Sequence, residues 1–312
     1  MIKKLIGLGL ISLMPYTVKG LEVTVGGQPT PHDNLIQLIG AFKINPPSTD
    51  TLTIKLLPGF YDHNIKKRLV DDIRNPGITL EGTIDPIPLS PTTVDSYPTS
   101  DSASILLDAL DVPSGTTLRN IVVYMLPDNL TNQLIKVRGD NVLFENCYFV
   151  GNNLGSETNR ALELSENFNN VRVKRCYIRD VVSGIGISGT DSSVRDTIFR
   201  ETTYGVIAFS GADLGTELDP GNNVWFRNEH IAVIYGGVGY PIQGGFFYDK
   251  EGNLLRTERD IIDIGGLIDV RSTETLRLQS IIGSDIDISN FYTTPHPLFP
   301  GVNNVKEWGA YK

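Results

Sequence analysis

The chain has 312 residues, of which 40% are hydrophobic, enough for one elongated domain or two compact ones. Its formal net charge is −9, and its one basic run is the short Lys66-Lys67-Arg68, which argues against the cationic footprint of a nucleic-acid partner. With two cysteines, Cys147 and Cys176, it has neither a disulfide framework nor, from cysteine alone, a zinc site.

Residues 1–20 begin with Lys3 and Lys4, continue through the apolar stretch Leu5 to Met14, and offer Val18 and Gly20 before a cut. That is the layout of a secretory signal peptide and predicts a secreted, periplasmic or cell-surface protein. Pro15 and Lys19 interrupt the run before it reaches the ~20 apolar residues a membrane span needs.

Residues 21–290 read as one all-β domain. Asp33 is placed as the N-cap of a helix over 33–43, with Leu35, Leu38, Ile39 and Phe42 on one stripe, and the open end of a stacked β-core is a reason to put a cap there. Thr51 to Leu57 alternates apolar with polar and ends in the turn Pro58-Gly59-Phe60-Tyr61. Ile78 to Gly82, Ile105 to Leu107 and Leu118 to Val123 supply further strands, and residues 85–103, rich in Pro, Ser, Thr and Asp, read as a surface excursion.

The middle of the chain repeats. Asn141-Val142-Leu143-Phe144-Glu145-Asn146-Cys147-Tyr148-Phe149 aligns with Asn170-Val171-Arg172-Val173-Lys174-Arg175-Cys176-Tyr177-Ile178; a third unit runs through Thr197-Ile198-Phe199-Arg200-Glu201, and a fourth through Val224-Trp225-Phe226-Arg227-Asn228. Each unit spans roughly 21 to 29 residues and lacks a helix-length periodic stretch. Short strands bounded by Gly, Asn, Asp and Ser therefore predict turns of strand stacked ~4.8 Å apart. Val142, Phe144, Cys147 and Phe149 should sit above Val171, Val173, Cys176 and Ile178 and share one interior. Beyond Gly236 a hairpin is expected over 246–255, last coils over 261–270 and 276–288, and an irregular tail over 291–312.

These units, with Gly184-Ile185-Gly186-Ile187-Ser188-Gly189, the capping helix and the Pro-Gly-Phe-Tyr turn, resemble the pectate-lyase-like superfamily of right-handed parallel β-helices. The resemblance covers roughly residues 21–290 and implies fold more than activity, since that solenoid hosts lyases, hydrolases, esterases and non-catalytic adhesins. The Asn-Thr-Asp, Asp-Asp, Gly-His-Gly and Arg-Ile-Lys set of a polygalacturonase is missing, Asp71-Asp72 standing alone, and so is the Arg-x-Pro-x-x-Arg of classical pectate lyases.

Aligning the units places Arg179, Arg200 and Arg227 one residue after the inward Ile178, Phe199 and Phe226, in one outward file. Stacked guanidinium groups repel unless an anion lies between them, so the file predicts a track for an acidic polysaccharide, with Asp180 and Glu201 as internal countercharges or metal ligands. In a lyase of the resembled fold an Arg or Lys takes the proton α to a uronate carboxylate that calcium neutralises. That implies Arg179 or Arg200 as base, with Lys174, near Arg175 and Arg195, as the alternative. Trp225, Tyr204 and Tyr235 are expected exposed, where they could stack on sugar rings, and His230 lies close to Glu229 and Arg227. Asp213, Glu217 and Asp219 in one loop, and Asp191 and Asp196 flanking another, read as solvated turn acids. Two functions stay open: a polysaccharide lyase acting by β-elimination on a uronate polymer, and a non-catalytic adhesin, glycan-binding or spike-like structural protein.

Overall fold

A computed structural model describes residues 21–26, 38, 51–61, 78–83, 102–107, 110–126, 133–151, 160–164, 168–187, 189–202, 204–208, 212–216, 218–226, 230–235, 246–247 and 268–271. Of the helix expected over 33–43, only the buried Leu38 belongs to this set, and residues 1–20 and 291–312 lie outside it.

The described strands form three parallel sheets. The first contains Leu21–Val25, Leu52–Leu56, Ile78–Glu81, Thr117–Arg119, Leu143–Glu145, Arg172–Lys174, Ser192–Arg195 and Ala212–Asp213. The second contains Gly59–Tyr61, Ser104–Leu107, Val122–Tyr124, Tyr148–Val150, Tyr177–Arg179, Ile198–Arg200, Val224–Phe226 and Phe246–Phe247. The third contains Leu110–Val112, Gln133–Val137, Arg160–Leu164, Ser183–Ile187, Tyr204–Ala208, His230–Tyr235 and Ile268–Arg271. From Ile78 to Tyr235 the chain visits first, second and third sheet in unbroken rotation, an order compatible with a parallel β-helix or solenoid.

The interior follows from alternation along these short strands. Phe144 pairs with Val173 and Phe149 with Ile178, and all four, with Val142, Val171 and the two free cysteines, are buried in one core as their spacing predicted. Phe144 and Phe149 close the corner between the first and second sheets edge to face, ring centres 5.9 Å apart.

Sharp corners need left-handed backbone, which Asn and Asp adopt at least cost among residues with a side chain. Ten described non-glycine residues have φ between 50° and 60°, and eight of them are Asn or Asp; Arg175 and Glu201 are the others. At two corners the amides also bond between levels, Asn146 Nδ2 donating to Asn120 Oδ1 at 2.7 Å and Asn170 Nδ2 to Asn141 Oδ1 at 2.8 Å. The first of these corners repeats the bond on later levels, Asn222 Nδ2 donating to Asp196 Oδ1 at 3.2 Å. Phe246 and Phe247, the first residues of the expected hairpin, pair in parallel with Val224 and Trp225; the rest of 246–255 is outside the described residues.

Candidate functional site

The second sheet carries the first two members of the predicted arginine file. Arg179 and Arg200 are direct cross-strand partners, but the next partner in that file is Phe226, because Phe199 pairs with Trp225. The alignment of the fourth unit is therefore shifted by one residue in space, and Arg227 is not the third step of the file; its own placement lies outside the described residues.

Nor is the file an open track. The outward column beside it, Ile105, Val122, Tyr148, Tyr177, Ile198 and Val224, is buried, and burial pushes the Tyr148 hydroxyl up to about 12. The arginine side chains sit on this covered side, Arg200 at 4% exposure and Arg179 at 12%. Their countercharges are the two expected acids. Arg179 Nε bonds Asp180 Oδ2 at 2.7 Å, while Glu201 lies 3.7 Å from Arg179 Nη2 and 3.4 Å from Arg200 Nη2. Consecutive residues can meet in this way because Asp180 and Glu201 both turn the chain through positive φ.

With their carboxylates facing guanidinium groups, Asp180 and Glu201 do not fit a calcium site, which takes six to eight oxygens. Among the described residues no group of three or more His, Cys, Asp or Glu is arranged to hold a metal ion.

Trp225, expected on the surface, is fully buried and stacks on Phe199 with ring centres 5.6 Å apart and planes 6° from parallel. The same register that displaces Arg227 turns it inward. Tyr204, half-buried, belongs to the third sheet and pairs there with His230, so these two are neighbours in the backbone but share no sheet with the arginines. The placement of the His230 and Tyr235 side chains is outside the described set.

Lys174 lies on the first sheet, separated from Arg179 by the corner at Arg175 and Cys176. In Arg172-Val173-Lys174 the valine is buried and both cations face outward and exposed. They line a cleft of about 810 Å³ together with Glu145, Asp191, Ser193, Arg195, Asp196, Asp213, Asp219 and Asn222.

Glu145, Lys174 and Arg195 of this cleft belong to a longer charge ladder on the first sheet. The cross-strand order Lys55, Glu81, Arg119, Glu145, Lys174, Arg195 alternates in sign as far as Lys174. Glu145 receives Arg119 Nε at 2.9 Å and Arg175 Nη2 at 2.6 Å. Burial would raise the Glu145 carboxyl, but the hydrogen bond from Arg175 and the charges of Arg119 and Arg175 outweigh it and hold it below its usual value.

Arg195, the last rung, binds the next strand and the loop after it: its Nη2 meets Asp213 Oδ2 at 2.5 Å and Asp219 Oδ2 at 2.9 Å while Nη1 donates to the Asp213 carbonyl at 3.1 Å. Beyond Asp213, Gly215 N donates to Asp213 Oδ1, Asp219 N to Thr216 Oγ1, and Asn223 Nδ2 to the carbonyls of Val194 and Leu214. Of the acids read as solvated from sequence, Asp213 and Asp219 are thus ion-paired to Arg195, which ties the loop carrying Asp219 to the sheet.

Sequence reasoning missed Arg172 and Glu145, which line the cleft, and Arg119, which holds Glu145. A signal was present in the repeat, where Arg175 stands opposite Asn146 and three cations crowd one strand and its corner. In comparisons with protein-family models, curated proteins and solved structures, nothing matches this chain.

Proposed function

We propose that this chain is an exported right-handed parallel β-helix protein that binds an acidic polysaccharide in the cleft on the outer side of its first sheet. The observation that supports this reading is the exposed pair Arg172 and Lys174 along a cleft that carboxylates of the same sheet and its loops also line, two of them held by Arg195. The cations engage acidic groups of a polymer, and the carboxylates and the amide that line the same cleft accept from and donate to sugar hydroxyls. Arg179 and Arg200, buried against their own acids, have a structural role in this reading.

A binding role without catalysis is favoured because the two arginines first named as bases are buried and ion-paired. One observation supports β-elimination as the second reading: Lys174 is exposed within the cleft. Incubating the full chain with pectate, alginate and glycosaminoglycans, with and without calcium, decides both. Retention of an acidic polymer with no rise in unsaturated-uronate absorbance is expected; a rise that disappears in Lys174→Ala establishes the lyase, and no retention of any polymer overturns the proposal.

A further inference from the structure

Lys174 stands between two charged residues of the first sheet, Glu145 on the level before and Arg195 on the level after, each its direct cross-strand partner. Opposite charges facing one another on neighbouring strands stabilise the sheet by pairing. Glu145 and Lys174 do not pair. Glu145 Oε2 takes Arg119 Nε at 2.9 Å and Oε1 takes Arg175 Nη2 at 2.6 Å, so both oxygens of the carboxylate are engaged. Arg195 in turn is bound to Asp213 and Asp219. Among the described residues Lys174 enters no ion pair, although it is exposed and has a carboxylate as its neighbour.

The residue that completes the hold on Glu145 sits where its own backbone is disfavoured. Along the corner after the first-sheet strands, residues 120, 146, 175, 196 and 222 all have φ between 50° and 56°, and each except Arg175 is Asn or Asp. An arginine there carries a conformational cost that Asn and Asp largely avoid. Neutralising Glu145 does not require it, because Arg119 lies on one side of that carboxylate and Lys174 on the other. What Arg175 adds is a partner for Oε1 from outside the cleft that Glu145 and Lys174 both line. Without Arg175, that oxygen is left to its cross-strand lysine.

Resting on the reading of this cleft as a polysaccharide site, we infer that Arg175 is a positioning residue: by holding Glu145 it keeps the Lys174 ammonium free for an acidic group of the bound polymer. The β-elimination reading has the same requirement, since an amine paired to Glu145 would be held protonated.

The test compares the full chain with its Arg175→Asn variant, which places at this corner the residue type found at 120, 146 and 222. Two quantities are read: retention of pectate, alginate and hyaluronan, and acylation of Lys174 by an amine-directed reagent, followed by peptide mass spectrometry against Lys55 in the same digest. In Arg175→Asn retention should fall about fivefold, the scale of one exposed ion pair, and Lys174 should label more slowly. Adding Glu145→Gln removes the competing carboxylate and should restore both. Adding Asp191→Asn instead gives the same net charge by removing another carboxylate of the cleft, but leaves Glu145 on Lys174, so both readouts should stay low.

Parent-like retention in Arg175→Asn, an unchanged labelling rate, or equal restoration by the two added substitutions overturns the positioning role and leaves the cleft as a polysaccharide site. Should the parent chain retain no polymer, the cleft reading falls, and the labelling decides the hold on Lys174 separately. Slowing in Arg175→Asn that Glu145→Gln reverses sustains that hold, and an unchanged rate removes it.

Discussion

Glu145 shows how a single side chain links the core, the surface and pH. Its carboxyl is held below its ordinary value, so the sign of its linkage is fixed. The stabilisation it provides is complete above the unfolded-state value near ~4.3 and is lost as pH falls through the lower folded value. Glu145→Gln should therefore lower the thermal midpoint at pH 7, and the difference from the parent chain should shrink towards pH 3 in a melting series. Cys176 behaves in the opposite direction. Burial first, and the neighbouring Cys147 next, push its thiol well above the usual range. Both cysteines are fully buried, so both should resist alkylation in the native protein and react on unfolding, as mass spectrometry would show. Gly151 marks a third constraint: a Cβ there would lie 2.0 Å from the Asp180 carbonyl oxygen. Gly151→Ala should cost about 2 kcal/mol by overpacking, read from denaturant unfolding.

At the scale of the strand and corner, stability comes from like residues meeting like. The Phe199 and Trp225 rings, the Tyr148 and Tyr177 rings with centres 5.4 Å apart, and the amide pairs at the corners all arise because parallel pairing puts equivalent positions of neighbouring levels together. Trp225→Ala should accordingly destabilise by about 3–5 kcal/mol, as expected for a fully buried aromatic, rather than weaken ligand binding selectively. Calorimetric melting beside a glycan-binding assay separates the two. The arginines of the second sheet belong to the same logic: one-residue spacing after a buried Ile178 or Phe199 carries them to a side of the sheet that is itself covered, and Asp180 and Glu201 at the corners supply the charge they need there. Nothing in the spacing distinguishes a covered outer side from an open one.

For the molecule as a whole, the rotation through three parallel sheets makes each level depend chiefly on its two neighbours. Arg172 pairs with Ser193, 21 residues later, so deleting residues 171–191 joins Asn170 to Ser192 at equivalent positions. The shortened chain should fold with parallel-sheet circular dichroism, melt at a lower temperature and lose cleft binding together with Arg172, Lys174 and Arg175. The core was legible beforehand because burial forces apolar residues into a period that a one-dimensional text preserves: Phe144, Cys147 and Phe149 recur 29 residues on as Val173, Cys176 and Ile178. The stacking of the 141–149 unit on the 170–178 unit followed from the same periodicity. What the text could not carry was register at the unit whose insertion differs, where one residue of slip turned Trp225 inward and set Phe226, not Arg227, beside Arg200. It was equally silent on which outward faces are covered and on where a loop folds back, because those depend on contacts between segments with no common period. Only the tertiary structure decided that the exposed cations lining the cleft are Arg172 and Lys174 of the first sheet, and that Arg195 holds Asp213 and Asp219 beside them.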